Sequence, residues 1–512
     1  MRKQNAVLWV CITVLLAVIF GSMLFTAPVP SAAVSLAPTP SDPNLVCVNG
    51  TGTGCTFLCG GCYDAVQTAV DAVPSGGTVR VAAGTYTGHA VAHNNVVLID
   101  KSLSLQGSFD ATCSTSGAGE TILDGAGTRT VIKVTSGETN PVSLSQLTLK
   151  NGNGIGNCGV TYEGCGGGLY VDQTPITVSG VIFRDNVGCK LGSGAGGGAY
   201  VNNLDASAAA HFDSCQFITN IASDQSIGFG GALLIDAGLS PAQTIVENNV
   251  FTGNSGSTKY EGYGGAVYIT ERVDLHDNVF TNNFAAADQG LYGSGGAVYL
   301  WKAVDVALWN NEFVQNSTIE IPGQFSVGRG GAFFASTGIT MTVYNNLFVR
   351  NSALSAGSAI YMESTGLPVN AEFWHNTILH NQESGSVAAI VLGDNSGATN
   401  AGFINNIIAG NAQGFDNQNA ALNELRLDTN CLWNAVDTET GTAPMLQDPQ
   451  LSPAYYPRTG SPVIEAGLPV GQAFLGMDKD GLTRPQGTAP NLGAYESTRQ
   501  VTMLPVVLRT AP

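Results

Sequence analysis

The sequence predicts an all-β solenoid of short strands, and three observations carry that prediction. A Gly-rich step into four strand-like residues recurs through the middle of the chain, as in "GGGLYV", "GGAVYI" and "GGAFFA". Between these steps, a Phe or Ile recurs with an Asn three residues after it. Charged residues make up only 11% of the chain, against roughly 25% in ordinary domains.

The spacing of the second mark identifies the type of repeat. Successive pairs lie 29 to 35 residues apart, and they are Phe183/Asn186, Phe217/Asn220, Phe251/Asn254, Phe280/Asn283, Phe313/Asn316, Phe348/Asn351, Ile378/Asn381 and Ile408/Asn411. This period excludes a coiled coil, and β-branched and aromatic residues bounded by Gly and Asn exclude helical repeats. We therefore expect one coil of about three short strands per repeat, with coils stacked at ~4.8 Å.

Alternation within each strand predicts which residues face the core. The position five residues before each Phe or Ile is always apolar, and we expect it to point inward: Phe212, Val246, Leu275, Leu308, Val343, Phe373 and Phe403. The position two residues before it is Asn in six coils and Cys215 in an earlier one: Asn249, Asn278, Asn311, Asn346, Asn376 and Asn406. We expect these Asn to take the left-handed backbone of a bend and to form a structural ladder of stacked amides.

These marks resemble the repeats of polymorphic outer-membrane proteins and related secreted right-handed β-helix proteins, over roughly residues 63 to 411. The resemblance implies a right-handed parallel β-helix of the pectate-lyase-like type, usually on a cell surface. The upstream stretch "AVQTAVDAVPSGGTVRVAAGTYTG" is similar to the entry of that superfamily, in which a short amphipathic helix caps the open core.

The sequence changes character after Cys431, where the repeats stop and Pro becomes frequent. The blocks "DPQLSPAYYPRTGSPVIEAG" and "GMDKDGLTRPQGTAPNLGAYE" resemble the choice-of-anchor Q module that follows β-helices in bacterial surface proteins, over about residues 443–496. Glu465 and Asn491 stand where that module usually has Asp, which weakens any metal role there. Asp478 to Gly481 has too few oxygen ligands for a calcium loop, so a turn stabilised by Asp and Gly is the preferred interpretation.

The chain divides into five predicted segments. Residues 1–33 are a signal peptide or a retained anchor, because Arg2 and Lys3 precede an apolar run that ends at Phe25. Residues 34–62 form a Pro/Gly/Cys-rich entry segment, 63–430 the β-helix and 431–497 the module, and 498–512 are a tail. We expect cleavage of the first segment and a secreted or cell-surface location, with membrane attachment only if the segment is retained.

The cysteine count supports export. Ten of the 11 Cys lie after the apolar segment, an even number consistent with disulfides in an oxidising compartment. Cys59 and Cys62 have the Cys-x-x-Cys spacing that supplies two of the four ligands of a zinc site. No His and no second Cys-x-x-Cys pair lies nearby, so disulfides are the preferred interpretation.

The net charge and the outward-facing residues of the predicted strands limit the possible functions. A formal net charge of -18 disfavours nucleic acid as a partner. On one outward face we expect a polar patch beside an aromatic stripe. The patch comprises His211, Asp213, Glu247, Asp274 and His276, and the stripe comprises Trp309, Tyr344 and Trp374. Aromatic rings stack on sugars, although flat rings also stack on one another between coils, as expected for the column Tyr170, Tyr200, Tyr268, Tyr299, Phe334 and Tyr361.

These observations favour a non-enzymatic surface protein, acting in adhesion or in binding an extracellular polysaccharide or cell-surface glycan. No catalytic residue, metal or cofactor is expected, because the carboxylates are not stacked as a repeated pair and neither column holds Arg or Lys. A polysaccharide lyase or glycoside hydrolase on the same scaffold is the first alternative, and a structural spacer is the second.

Overall fold

The solenoid winds the chain through five parallel sheets, which we number 1 to 5 in the order that one full coil visits them. The computed structural model describes residues 41–496, apart from 89–93, 138, 159–161, 204–207, 238–242, 271, 288–291, 304, 320–326, 383–386, 395, 435–439 and 470. The result is a parallel β-solenoid of about 10 turns, which confirms the predicted all-β fold class. The predicted segments 1–33 and 498–512 lie outside the described residues.

Sheets 1 and 2 are the two longest sheets of the described chain, with 14 and 12 strands. The strands of sheet 1 are Asp42–Val48, Cys59–Tyr63, Gly77–Ala82, Leu103–Phe109, Val142–Ser145, Ile176–Ser179, Ala210–Asp213, Thr244–Glu247, Val273–His276, Val306–Trp309, Ile339–Tyr344, Val369–Trp374, Thr399–Ile404 and Glu424–Asp428. The strands of sheet 2 are Gly84–Tyr86, Thr121–Asp124, Thr148–Lys150, Ile182–Arg184, Gln216–Ile218, Val250–Thr252, Val279–Thr281, Glu312–Val314, Leu347–Val349, Thr377–Leu379, Ile407–Ala409 and Cys431–Trp433.

Sheets 3, 4 and 5 complete the coil, with 5, 6 and 11 described strands. Sheet 3 comprises Val187–Cys189, Ile221–Ser223, Ser255–Ser257, Phe284–Ala286 and Ser317–Ile319. Sheet 4 comprises Gly164–Cys165, Gly194–Ala195, Gly228–Phe229, Glu261–Tyr263, Tyr292–Ser294 and Val327–Arg329. Sheet 5 comprises Asn95–Ile99, Thr130–Val134, Leu169–Asp172, Ala199–Asn203, Leu233–Ala237, Val267–Ile269, Val298–Trp301, Phe333–Ser336, Ile360–Glu363, Ala388–Leu392 and Gln413–Asn417.

The core is one continuous apolar column enclosed by sheets 1, 2 and 5. The predicted inward residues Phe212, Val246, Leu275, Leu308, Val343, Phe373 and Phe403 are all buried there. Phe183, Phe217, Phe251, Phe280, Phe313 and Phe348 stack with ring centroids 4.5 to 4.8 Å apart. That spacing is the rise between parallel strands, so each ring contributes one layer of the core.

Two Asn ladders hold the bends on either side of sheet 2. Between sheets 1 and 2, Asn278 donates through Nδ2 to Asn311 Oδ1 at 3.1 Å and to the Val246 carbonyl at 2.7 Å. The same pattern joins Asn249, Asn278, Asn311, Asn346, Asn376, Asn406 and Asn430. A second ladder after sheet 2 joins Asn186, Asn220, Asn254, Asn283, Asn316, Asn351, Asn381 and Asn411.

The left-handed backbone of each bend belongs to the residue before the ladder Asn, so the predicted position was wrong by one residue. Positive φ angles of 53 to 59° occur at Asn248, Asp277, Asn310, Asn345, His375 and Asn405. The ladder Asn is instead turned inward, where its amide satisfies backbone groups that would otherwise be buried without partners.

Sheets 3 and 4 were not predicted, because about three strands per coil were expected. They form two facing layers that project from the coils between residues 164 and 329. Glycine makes this close approach possible: a Cβ on Gly262 would collide with the Ala285 carbonyl, and one on Gly228 would collide with that of Gly256. The Gly-rich segments therefore have two roles. They allow sheets 3 and 4 to pack closely, and they form the turns that lead into the strands of sheet 5.

The N-terminal end of the solenoid is closed by a short helix and two disulfides. Helix α1, Val66–Ala72, buries Val66, Ala69 and Val70 against the core, as the entry sequence predicted. Disulfides join Cys47 to Cys59 and Cys55 to Cys62, and a third joins Cys158 to Cys165. The disulfide prediction is confirmed for six of the ten cysteines, and four remain buried thiols: Cys113, Cys189, Cys215 and Cys431.

The C-terminal segment after sheet 2 folds back onto the outer face of that sheet. Sheet 2 presents Leu347, Leu379 and Ile407 there, and they pack with Val463 and Tyr495 of the segment. Its one described helical element is the 3-10 turn Ala473–Leu475. The Asp478 side chain accepts from the backbone N–H groups of Asp480 and Leu482, and Gly481 has a φ of 78°, which is the predicted turn.

Candidate functional site

The outer face of sheet 1 brings the predicted patch residues onto neighbouring strands. In one column Asp213, Glu247, His276, Trp309, Tyr344 and Trp374 follow one another in register. In the next column His211, Ile245, Asp274 and Ala307 do the same. We call His211, Asp213, Glu247, Asp274 and His276 the sheet-1 patch.

Glu247 lies at the centre of the sheet-1 patch. Its Oε1 is 2.8 Å from His211 Nε2, and its Oε2 is 3.7 Å from His276 Nε2. The Glu247 side chain is 27% exposed, so one carboxylate contacts two imidazoles while it still faces solvent. Asp213 lies at the border of the patch, where its Oδ1 accepts from Ser214 and Asn248.

Asp277 joins the site although it lies outside both predicted columns, at the bend position before the ladder residue Asn278. His276 Nδ1 is 2.8 Å from Asp277 Oδ2, and Asn310 Nδ2 donates to Asp277 Oδ1 at 3.1 Å. The left-handed φ of 54° at Asp277 turns its carboxylate back along the strand toward His276. The adjacent pair "HD" was the available sequence signal, but sequence alone does not reveal that a left-handed residue turns its side chain this way.

The two aspartates of this strand have pKa values displaced in opposite directions. Burial raises the pKa of Asp274 above its ordinary value, and the nearby His276 only partly offsets that effect. Burial also acts on Asp277, but hydrogen bonds from His276 and Asn310 outweigh it, so the pKa of Asp277 is lowered. Asp277 is therefore the more persistent anion, and Asp274 is the carboxyl group that protonates more easily.

The aromatic residues of the face stack along the solenoid axis, which limits what they offer to a ligand. Trp309 lies between His276, with ring centroids 4.0 Å apart, and Tyr344, at 5.7 Å. Both pairs are nearly parallel, at 11° and 3°. A sugar that packs on an aromatic ring needs a free face, so Trp309 presents mainly its edge outward.

Tyr344 is covered by the C-terminal segment. Its ring contacts Phe474, with centroids 5.0 Å apart, and its side chain is buried. Phe474 was not part of the predicted stripe, because only the folded chain shows where the C-terminal segment returns. Trp309 and Trp374 are half-buried, so the exposed aromatic surface of the face is interrupted at Tyr344.

The second outward aromatic column lies beneath sheet 4 and is closed to solvent. Tyr170, Tyr200, Tyr268, Tyr299, Phe334 and Tyr361 are buried, and neighbouring members stack except where Leu234 interrupts them. Rings from the covering layer, such as Tyr263 against Tyr299, meet them edge-on. The rings of this column stack from coil to coil, as predicted, and they serve packing beneath the covering layer.

Neither a metal cluster nor a membrane helix is evident in the described chain. The described residues contain no group of three or more His, Cys, Asp or Glu arranged to hold a metal ion. Cys59 and Cys62, the suggested half of a zinc site, belong to two different disulfides. Between residues 41 and 496, the described helices are too short and too polar to cross a bilayer.

The chain matches no protein-family model and no curated protein. Interpretation of the site therefore rests on the contacts described above.

Proposed function

We propose that this chain is an exported, non-enzymatic surface protein that binds carbohydrate through the sheet-1 patch. The observation that carries the proposal is Glu247, a solvent-facing carboxylate that contacts both His211 and His276 beside the edge of Trp309. Carboxylates accept hydrogen bonds from sugar hydroxyls, and imidazoles donate or accept according to tautomer. Export is supported by the three disulfides, which persist in oxidising compartments.

The flatness of the face favours an extended ligand over a small enclosed one. Register-matched strands place Asp213, Glu247 and His276 in one line along the solenoid axis. Such a line offers one polar group per coil to a chain of sugars lying across the coils. Trp309 contributes a ring edge at the end of this line, and Trp374 lies two coils beyond it.

A glycan panel tests the proposal. We expect immobilised neutral and acidic polysaccharides to reveal at least one ligand for the wild type. Glu247→Gln and His276→Ala should each weaken binding to it by about tenfold or more, since a hydrogen bond to a charged group contributes about 1.5–3 kcal/mol. The matched control is Thr177→Ala, an exposed position in the His211 column one coil before the patch. Unchanged binding in both patch variants would refute the proposal.

Catalysis on the same face is the second candidate, and the opposite pKa displacements of Asp274 and Asp277 favour it. Acid–base cleavage of glycosidic bonds uses one carboxyl group that protonates easily and a second that stays ionised. Assays for reducing ends and for unsaturated products on the same polysaccharides discriminate the candidates. Sustained turnover that Asp274→Asn abolishes would replace the binding proposal with a polysaccharide lyase or glycoside hydrolase. A structural spacer predicts neither binding nor turnover.

A further inference from the structure

A cleft lies between the last coils of sheet 2 and the C-terminal segment, far along the chain from the sheet-1 patch. It has a volume of about 500 Å³, within the range of roughly 300–1,000 Å³ typical of small-molecule sites. Its walls come from the ends of sheet-2 strands and from the turn around Tyr455. We call it the C-terminal cleft.

Two arginines give the C-terminal cleft its charge. Arg350 and Arg458 both line it, and neither guanidinium has an ion-pair or hydrogen-bond partner among the described residues. His380 lines it as well, and Asp448 supplies one carboxylate, whose Oδ1 accepts from the Gln450 backbone N–H at 2.8 Å. In a chain with 20 Lys plus Arg against 38 Asp plus Glu, two arginines against one aspartate give this cleft a local excess of positive charge.

Arg350 and His380 occupy the same position in the bends of two successive coils. Both residues directly precede a ladder Asn and have left-handed φ angles of 55° and 54°. The same position in earlier coils is Asp185, Thr219, Gly253, Asn282 and Gln315. This bend therefore accepts several residue types, and Arg350 and His380 are the ones that line the cleft.

Two aromatic side chains complete the cleft. Trp433 and Tyr455 are half-buried and line it, and in the described chain neither has a ring–ring contact. Trp309, by contrast, is stacked on both sides. Tyr455 has a φ of 68° within a turn in which its backbone N–H donates to the Ser452 carbonyl at 2.9 Å. The turn therefore holds the ring at the cleft although the backbone conformation is unfavourable.

We propose that the C-terminal cleft binds an acidic saccharide, with Arg350 and Arg458 pairing with a sugar carboxylate and with Trp433 and Tyr455 packing against the sugar. Planar guanidinium groups match carboxylates, and aromatic rings bury the apolar face of a sugar. The net charge of -18 opposes long polyanions, so the ligand is a short or chain-terminal uronate rather than nucleic acid. The choice of a sugar over other small anions rests on the proposed carbohydrate binding.

Calorimetric titration with trisaccharides of galacturonic, glucuronic and mannuronic acid tests the proposal, with neutral trisaccharides and inorganic sulfate as comparisons. At least one acidic trisaccharide should bind ten times or more tightly than its neutral counterpart. Arg350→Gln and Arg458→Gln should each weaken that binding about tenfold or more. Arg184→Gln, which removes the same charge from a distant sheet-2 strand, should not, and thermal unfolding checks that all variants fold.

Three results would overturn the proposal, and each is distinguishable from failure of the sheet-1 patch. Absence of binding by all acidic trisaccharides excludes the ligand class. Sulfate that binds as tightly as the best trisaccharide reduces the cleft to a general anion site. Acidic-sugar binding that survives both arginine substitutions but is lost in Glu247→Gln moves the ligand to the sheet-1 patch. If the arginine substitutions weaken acidic-sugar binding and Glu247→Gln leaves it unchanged, the cleft stands whatever the glycan panel shows for the sheet-1 patch. Binding that survives all three substitutions overturns the proposal as well.

Discussion

Arg484 donates to Glu496 at 2.7 Å, and both side chains are buried where the C-terminal segment meets the solenoid. Arg484 also donates to Asn345 Oδ1 at 3.0 Å, and Asn345 belongs to the bend between sheets 1 and 2. The ion pair is therefore part of the contact that joins the segment to the coils. The same contact region includes Lys479, which pairs with Glu312 at 3.3 Å and donates to the Asn310 carbonyl.

Replacing Glu496 by Gln should lower the free energy of unfolding by about 3–5 kcal/mol, because it leaves the Arg484 guanidinium buried without its counter-ion. Urea denaturation measures the change. The matched control is Glu372→Gln, which breaks a pair with Arg426 at 2.7 Å in which the side chains are 43% and 52% exposed. The control substitution should lower the free energy of unfolding by less than about 1 kcal/mol. Equal losses in the two variants would contradict the structural role of the buried pair.

Replacing Asn311 by Ala should destabilise the solenoid by about 3 kcal/mol or more, since each unsatisfied buried polar group costs about 1–3 kcal/mol. Asn311 Oδ1 accepts from both the backbone N–H and the side chain of Asn278, and its Nδ2 donates to the Leu275 carbonyl. Thr281→Ala, on the outer side of sheet 2, is the control and should change stability by less than about 0.5 kcal/mol. A small effect at Asn311 would mean that water or a neighbour replaces the ladder.

A methyl group at Gly262 should destabilise the two layers of sheets 3 and 4. Its Cβ would meet the Ala285 carbonyl and force the layers apart, at a cost of about 1–3 kcal/mol. Gly471→Ala is the matched control, because a Cβ there meets nothing within 4 Å and the backbone is not left-handed. Thermal unfolding compares the two variants. If Gly262→Ala is as stable as the control, sheets 3 and 4 are not packed closely enough for a Cβ at Gly262 to meet the Ala285 carbonyl.

Stability should fall as pH drops below about 6.5, in part through His375. This side chain is fully buried, its Nδ1 is 3.1 Å from the Asn491 carbonyl and its Nε2 is 3.1 Å from Asn405 Nδ2. Burial, together with the charge of Arg484, lowers the pKa of His375 well below 6.5. The folded state thus binds fewer protons than the unfolded state, and the contribution present above the unfolded pKa is lost as pH falls toward the folded pKa.

His375→Asn tests that contribution, since Asn occupies this bend position in four other coils, at Asn248, Asn310, Asn345 and Asn405. Urea denaturation at pH 7 and pH 5 should show a smaller loss of stability in the variant than in the wild type. The difference is at most about 1.4 kcal/mol per pH unit, the value for one proton. Identical pH dependence in the two proteins would show that His375 does not couple protonation to folding.

The sequence was most informative where one rule recurs in every coil. The inward column around Leu275 and the Asn at position 278 repeat at a regular interval, so alternation and spacing were sufficient to align them. The left-handed residue was placed one position too late because Asn is favoured both in left-handed bends and in amide ladders. The adjacent residues Asn310 and Asn311 illustrate the ambiguity, since composition does not tell which of them takes which role.

The candidate sites were less predictable, because they depend on features that occur once. The alignment correctly placed Glu247 beside His276, but the stacking of Trp309 between His276 and Tyr344 depends on ring orientation. The apolar change on the outer face of sheet 2, from Glu312 to Leu347, was a usable signal for where the C-terminal segment docks. The C-terminal cleft had no such signal, since Arg350 and Arg458 are brought together only by the returning chain.

By itself, the sequence determined the repeat, the all-β class, the residues of the inner columns and the register that aligns the sheet-1 patch. These follow from periodicity, because stacking similar coils forces equivalent residues into contact. Only the tertiary structure decided that Gly-lined layers project as sheets 3 and 4, that the C-terminal segment covers Tyr344, and that Arg350 and Arg458 line one cleft. Those contacts join parts of the chain that share no period, so their formation depends on shape and packing in three dimensions.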